Sequence, residues 1–285
     1  MRTILLSFLL SVLAAQEPAP AVPADLEALA RRVEQAHLPR GPVPEVTAFR
    51  TCLEVHLLDA KAPDKATVGL RVQFLRWLGP GRTRPLPLMR YELTETSTPV
   101  VRGQDSHGPW QLVRGEPRDL SGLDKADLDT FGQHLKLAQQ LLRFLSPARE
   151  LRALQRPGPV TTKELVVARG KSIACDVVAG DLAAFPLLRR GGEDSAVHVE
   201  IYVEQASGRL LAIEATPLVD GKMDLTAGER VLLEDQRERD DMLVPHRLLH
   251  LFRDETGKLR LATRTDLIDP SLRPELRVED FDRKR

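Results

Sequence analysis

The chain has 285 residues, 42% of them hydrophobic and 29% charged, with 41 basic and 41 acidic side chains. That is globular composition, too apolar for a disordered chain, and the charge balance excludes a uniformly basic nucleic-acid binder. The length suits one large domain or two small ones, and no internal repeat or break in composition demands two.

Arg2 precedes the apolar run "ILLSFLLSVL" (4–13) and the small residues Ala14 and Ala15. A basic start, a short apolar stretch and small residues form the pattern of a secretory leader, here 1–15. Ten helical residues span about 15 Å, half of a hydrocarbon core of roughly 30 Å, so the run is read as a leader and not as a membrane span. The alternative is a buried N-terminal helix. No Cys follows the run, so a lipid-anchored leader is not supported. "QEPAPAVPA" (16–24) is a Pro/Ala spacer. The expected organisation is therefore leader, linker and a single domain over 25–282, in an exported protein of the periplasm or the exterior.

Residues 25–38 place Leu26, Leu29, Ala30, Val33 and His37 at helical spacing, and "PRGPVP" (39–44) ends the helix. Period-two alternation follows. Phe49, Leu53, Val55 and Leu57 mark a strand over 47–58, and Val68, Leu70, Val72 and Phe74 mark another over 66–78. Further short strands over 88–96, 99–104 and 109–114 predict an antiparallel meander. A helix is predicted over 124–147, with Leu128, Phe131, Leu135, Ala138, Leu142 and Leu145 on one stripe, Asp124 as its cap and Pro147 as its end. A short helix over 148–155 is added. Strands then resume at 161–169, 172–179, 196–205, 209–218, 228–237, 242–252 and 258–267, with hairpin turns at Ser207-Gly208 and Thr256-Gly257. In the tail only Leu276, Val278 and Phe281 offer docking side chains. The fold class is α+β, an antiparallel sheet whose apolar face is covered by the helical stripe.

Several stretches invite a chemical reading. Asp105, Ser106 and His107 stand together in "GQDSHGPW", but neighbouring residues on extended backbone cannot line up as a triad, and the flanking glycines and proline make a hairpin loop. His246 and His250 in "HRLLH" lie about 13 Å apart if the segment is a strand, too far to share one metal ion. His198, Glu200, Tyr202 and Glu204 share one sheet face, read as solvated, with a polar catalytic surface as the alternative; a hydrolase would draw on His198 or His246 with Glu200. "ERVLLEDQRERDD" reads as a charged edge or a long hairpin. Cys52 and Cys175 either pair or remain separate thiols. No glycine loop cradles phosphate and no dinucleotide fingerprint occurs, so no cofactor and no metal is implied, and an enzymatic role is not favoured. Trp77, Met89, Tyr91 and Trp110 fill a core or line a greasy pocket.

The stretches "VTAFRTCLEVHL" and "MRYELTETSTPVVRGQDSHGPWQLVRG", with Asp105, Gly108 and Trp110 at the turn and Val244-Pro245 in a late strand, resemble the periplasmic lipoprotein carriers of the LolA/LolB-like superfamily. The resemblance is one of layout over residues 25–282. It implies a strongly curved antiparallel sheet, a half-barrel, with helices on its concave side and acyl chains held between the two. Under that reading the ligand-binding residues are Phe49, Leu53, Val72, Phe74, Met89, Tyr91, Trp110, Phe131, Leu135 and Leu142. The partner is then a lipid, an acyl chain or a lipoprotein, each buried methylene contributing about 0.8 kcal/mol. A non-catalytic interaction or sensory domain of the cell envelope is the alternative.

Overall fold

The alternating segments fold as strands throughout the computed structural model, which describes residues 24–58, 67–94, 100–118, 125–167, 170–188 and 196–283. The predicted leader, all but the last residue of the linker, and the proposed cap Asp124 lie outside these residues. Helix α1 (Ala24–His37) is followed by β1 (Ala48–Leu57), β2 (Thr67–Trp77), β3 (Leu86–Leu93), β4 (Val100–Asp105), β5 (Gly108–Val113) and β6 (Glu116–Arg118). Helices α2 (Lys125–Phe144) and α3 (Pro147–Arg152) come next. A second run follows: β7 (Thr161–Val166), β8 (Ser172–Leu182), β9 (Val197–Glu204), β10 (Leu210–Val219), β11 (Lys222–Met223), β12 (Glu229–Arg239), β13 (Met242–Arg253) and β14 (Leu259–Ser271). The fold class expected from the sequence is observed; the two short strands β6 and β11 escape the period-two pattern because three and two residues carry no period.

All strands belong to one antiparallel sheet with the order β6-β5-β4-β3-β2-β1-β14-β13-β12-β10-β9-β8-β7, and β11 attached to β10. Each half of the chain is a meander. The first walks outward from β1 to the edge at β6. Helices α2 and α3 carry the chain across to the far edge at β7, and the second meander walks back until β14 pairs with β1. Because β6 and β7 are not paired, the sheet does not close into a barrel. "ERVLLEDQRERDD" is accordingly the long β12–β13 hairpin near the middle of the sheet and not an edge.

The sheet is strongly curled. Strands β2 and β8 are seven ladder steps apart, a separation of about 34 Å in a flat sheet. Yet Phe74 and Arg76 of β2 and Leu182 of β8 line the same cleft. The concave face so formed is apolar in both halves, and one continuous core joins it to Leu26, Leu29 and Val33 of α1, Phe131, Leu135 and Leu142 of α2, and Leu151 of α3. The predicted stripe on α2 is correct from Phe131 onward; Leu128 is exposed, one turn before the helix reaches the sheet. Arg152 of α3 binds Glu27 (3.1 Å) and Glu34 (2.9 Å) of α1 and ties the two helices together. Gly208 in the β9–β10 turn has φ +74°, and a Cβ there would lie 3.0 Å from the Arg32 carbonyl of α1, so both its conformation and its closeness to the helix need glycine.

The outer face is covered in two places. The C-terminal 3₁₀ turn, Val278–Phe281, lies over β3 and β4, with Phe281 fully buried and Arg90 donating to the Asp280 carbonyl. At the other end Leu165, Cys175, Val177, Tyr202, Ala212, Leu232 and Leu249 form a second, smaller buried cluster. This corrects the expectation of a simply solvated face around Tyr202.

Gly103 of β4 stands opposite Trp110 of β5. A Cβ at Gly103 would meet the Trp110 ring at 2.6 Å and the Met89 carbonyl at 2.7 Å, neither of which can retreat without moving backbone or a buried ring. Gly103→Ala is expected to lower stability by about 1–3 kcal/mol through overpacking, read as a lower urea midpoint and a changed Trp emission; an unchanged midpoint would show that the sheet edge absorbs the methyl group.

Candidate functional site

Nine of the ten residues expected to bind ligand, namely Phe49, Leu53, Val72, Phe74, Met89, Tyr91, Phe131, Leu135 and Leu142, lie in the single core between sheet and helices. Seven of them pack away from the larger clefts, and only Phe74 and Leu142 also border one. Phe49 stacks on Phe74 with ring centroids 5.4 Å apart, and Tyr91 stacks on Phe131 at 6.0 Å. Beneath α2 a void of about 10 Å³, about the space of one water, is bounded by Phe49, Leu141, Leu145, Val244 and Leu267. Trp110 stands apart from the other nine. It opposes Gly103, which in turn opposes Arg90, and the Arg90 guanidinium lies 5.9 Å from the Trp110 ring centre on the outer face. Strand parity decides this: Tyr91 faces the helices, so its neighbour Arg90, and Trp110 in the same row, face away.

Open space lies instead at one end of the sheet–helix sandwich. A cleft of about 360 Å³ runs between the end of β2, the start of β3, the C-terminal half of α2, α3 and the segment after β8. Its apolar wall includes Phe74, Pro87, Leu142, Leu182 and Pro186. A second cleft of about 210 Å³, between α1, α3 and the segment 43–46, has Leu38, Val43, Leu145 and Met242 in its wall. Glu45, Val46, Ser146 and Arg149 line both, so the second cleft continues the first across Glu45. Only Phe74 and Leu142 of the expected set reach this space. The rest of the lining is gathered from the ends of β2, β3 and β8, from α1, α2, α3 and β13 and from the loops between, a convergence that neither period two nor period 3.6 marks.

The rim of the larger cleft is charged. Arg76 donates to Glu45 at 3.0 Å, Arg149 binds the same Glu45 oxygen, and Arg143 binds Glu150 at 2.7 Å. Three guanidinium groups thus face two carboxylates. Burial, and then repulsion from Arg143, lower the Arg76 pKa from its ordinary value. Arg143 also lies over the Phe185 ring, 5.5 Å from its centre.

Elsewhere the polar groups singled out in the sequence are occupied by structural bonds. Asp105 accepts from the amides of His107 (2.7 Å) and Gly108 (3.0 Å), which makes "GQDSHGPW" the β4–β5 hairpin turn. His198 Nδ1 lies 2.8 Å from Asp181, while Glu200 takes Lys163 (2.8 Å) and the Tyr202 hydroxyl (2.6 Å). His246 Nδ1 meets the Leu267 carbonyl at 3.1 Å, whereas His250 Nε2 reaches Gln140 of α2 at 3.2 Å, so the two histidines of "HRLLH" serve different neighbours. Cys52 and Cys175 are separate thiols on β1 and β8. On the outer face Glu54, His56 and Asp266 gather donor atoms, but Arg247 (2.8 Å) and Arg264 (2.9 Å) hold Asp266, and these cations oppose a metal ion there.

Behind the larger cleft is a buried polar knot. Gln140 donates to the Pro186 carbonyl (2.6 Å) and to Glu229 (2.7 Å), and Glu229 also accepts from the Leu188 amide (2.9 Å). This fixes the segment that forms the cleft wall to α2 and β12.

No protein-family model and no curated protein matches the sequence. Comparison of the fold with solved structures finds a crystal structure of the LolA superfamily protein NE2245 from Nitrosomonas europaea. It has 14% identity and a TM-score of 0.47, and the alignment covers 92% of this chain and 98% of that one. MucB in complex with MucA(peri) is also found, with 10% identity and a TM-score of 0.21 over 89% of this chain and all of that one, as is the Pseudomonas aeruginosa MucA/MucB complex at 0.20. Among the described residues no helix is long and apolar enough to cross a membrane.

The buried histidines give a pH prediction. Burial lowers the pKa of His250 to about 4, and burial likewise lowers that of His37, which accepts the Leu210 amide, to about 4. Between the unfolded value near 6.5 and 4 the unfolded chain binds protons that the native chain does not, so stability falls as pH falls through that window. Each histidine is expected to remove up to about 3 kcal/mol by pH 4. Urea midpoints at pH 7.5, 6 and 5 check this; His250→Gln should flatten the slope, and equal slopes in both proteins would sink the assignment.

Proposed function

We propose that this chain is an exported, non-enzymatic envelope protein that takes an apolar ligand, or the acyl chain of a lipidated partner, into the cleft at the end of its sheet–helix sandwich. One observation carries the reading: an opening of about 360 Å³ with Phe74, Leu142, Leu182 and Pro186 in its wall and charged residues at its rim, within the size range of small-ligand pockets, beside the sheet–helix core. Export is read from Arg2 and the apolar run 4–13, and the proposed organisation is the leader 1–15, the linker 16–24 and one domain over 25–282. Burying six methylenes there would contribute about 5 kcal/mol. The filled interior restricts the ligand to the end cleft, so the binding residues proposed are Phe74 and Leu142 with Leu182, Ala184 and Pro186, and not the whole concave face. Phe49, Leu53, Val72, Met89, Tyr91, Phe131 and Leu135 then shape the core that holds the cleft open.

The solid core also supports a second reading, an interaction domain of the envelope. Its observation is the β10–β11 hairpin and the turn after it, which present Val219, Met223 and Leu225 to solvent, all more than half exposed.

The test is to purify the full-length protein from its exporting host without detergent, extract it with organic solvent and analyse the extract by mass spectrometry. Acyl-bearing species in near-equimolar amount are expected, and Ala184→Trp, which fills the cleft from a partly exposed position, is expected to abolish them at an unchanged melting temperature. Extracts repeatedly free of such species would overturn the reading in favour of the interaction domain.

A further inference from the structure

Resting on that reading, we propose that the cleft selects amphiphiles with an anionic head, carboxylate or phosphodiester, and that Glu45 is a built-in competitor that such a head displaces from between Arg76 and Arg149. The segment 43–46 carries Glu45 across the boundary between the two clefts, and its carboxylate is clasped from both sides, by Arg76 at 3.0 Å and by Arg149. These two guanidinium groups come from different elements, β2 and α3, and converge on one carboxylate oxygen, Oε1. Guanidinium forks match carboxylate and phosphate oxygens geometrically, so the place Glu45 occupies is a place any such anion fits.

Charge supports the exchange. The larger cleft's lining carries Arg76, Arg143 and Arg149 against Glu45 and Glu150. With Glu150 committed to Arg143 at 2.7 Å, one carboxylate serves two cations, and a formal positive charge is left over. A second anion entering the rim neutralises that excess. If it replaces Glu45, the carboxylate swings outward to solvent, which costs little because its side chain is already about half exposed. The exchange also removes the partition between the clefts. A tail that starts against Phe74 and Leu142 then continues past Val46 and Ser146 towards Leu145 and Met242. The head would sit at the water-facing rim and the tail against apolar wall, the arrangement an amphiphile requires.

The experiment titrates the full-length protein, stripped of bound lipid, with cis-parinaric acid and with its methyl ester, which share one fluorescent tail and differ in head charge. The acid is expected to bind about tenfold more tightly than the ester, the effect of a charge-assisted hydrogen bond. Arg76→Gln and Arg149→Gln are expected to bring that ratio close to one by weakening acid binding about tenfold. Glu45→Gln is expected to strengthen acid binding several-fold, since it removes the competing anion; a purely structural Glu45 would do the reverse. The acid/ester ratio should also shrink towards one as salt rises from about 0.05 to 0.5 M, because the rim is solvent-exposed. Displacement of the acid by lysophosphatidylglycerol but not by lysophosphatidylcholine identifies a phospholipid head as an accepted source, while displacement by neither identifies the free fatty carboxylate; both outcomes uphold anion selection. Equal binding of acid and ester overturns it and leaves the apolar cleft standing, whereas binding of neither overturns the cleft reading as well. Unfolding midpoints of the three variants, equal to that of the parent, exclude loss of fold as the cause.

Discussion

The pairing of β1 with β14 holds this architecture together. Thr51 donates to the Ile268 carbonyl at 2.9 Å across 217 residues of chain, and the ladder runs from Arg50–Ser271 to Leu57–Thr263. Among the described residues the other strand pairings join consecutive strands, except that β10 pairs with β12 past the short β11. Without this one seam the molecule is two separate curled sheets, each with one apolar face and neither able to cover the other. With it the two faces become one trough, filled among the described residues chiefly by α1, α2 and α3, with Val46, Leu154, Phe185, Leu187 and Leu272 from the connecting segments. The entropy of closing so long a loop is met by a core contiguous over both halves, which makes helix coverage and seam formation mutually dependent.

How the trough is filled decides what the molecule can bind. Phe49 stacks on Phe74 of the neighbouring strand, Tyr91 of the sheet stacks on Phe131 of α2, and the void under α2 bounded by Phe49, Leu141 and Val244 is about the size of a water. Packing of this density resists insertion of a chain along the trough, since a core at crystal density has no room to yield without backbone movement. At the end of α2 the helix stops at Phe144 and α3 begins at Pro147, and Ser146 of the turn between them borders the cleft together with residues of both helices and the end of β2. The cleft's wall after β8 is pinned by the Gln140–Glu229 knot, so the opening is a fixed feature of the fold and not a loose loop.

The outer face shows a different solution to exposure. Cross-strand pairs such as Lys163–Glu200, Arg230–Glu214 and Arg247–Asp266 cover a layer of apolar side chains around Tyr202. Arg230 lies 5.2 Å from the Tyr202 ring centre, its guanidinium face over the ring. Long side chains here shield apolar surface with their stems while their charges remain near water. The concave face therefore receives helices, and the convex face is sealed by its own charged residues and by the C-terminal turn that buries Phe281.

The sequence by itself determined which segments are strands and helices, because period two and period 3.6 are local consequences of which face of each element is covered. It located the hairpin turns at Ser207-Gly208 and Thr256-Gly257 and the "GQDSHGPW" loop, where glycine and Asp leave local marks. It also indicated the covered faces of β1 to β3 and of α2, and so the inward direction of nine of the ten named side chains, of which only Phe74 and Leu142 border the cleft. It did not carry the order in which strands pair, and so not the seam between β1 and β14 or the curl that brings Phe74 towards Leu182. The same limit hid the face of Trp110, which turns on strand register, and the second cluster around Tyr202, whose burial needs six strands laid side by side. Above all, alternation says that a side chain faces inward but not whether it meets another side chain or a void. That is a property of summed volumes from distant segments, and only the tertiary structure filled the trough beneath α2 and left the opening at Glu45, Arg76 and Arg149.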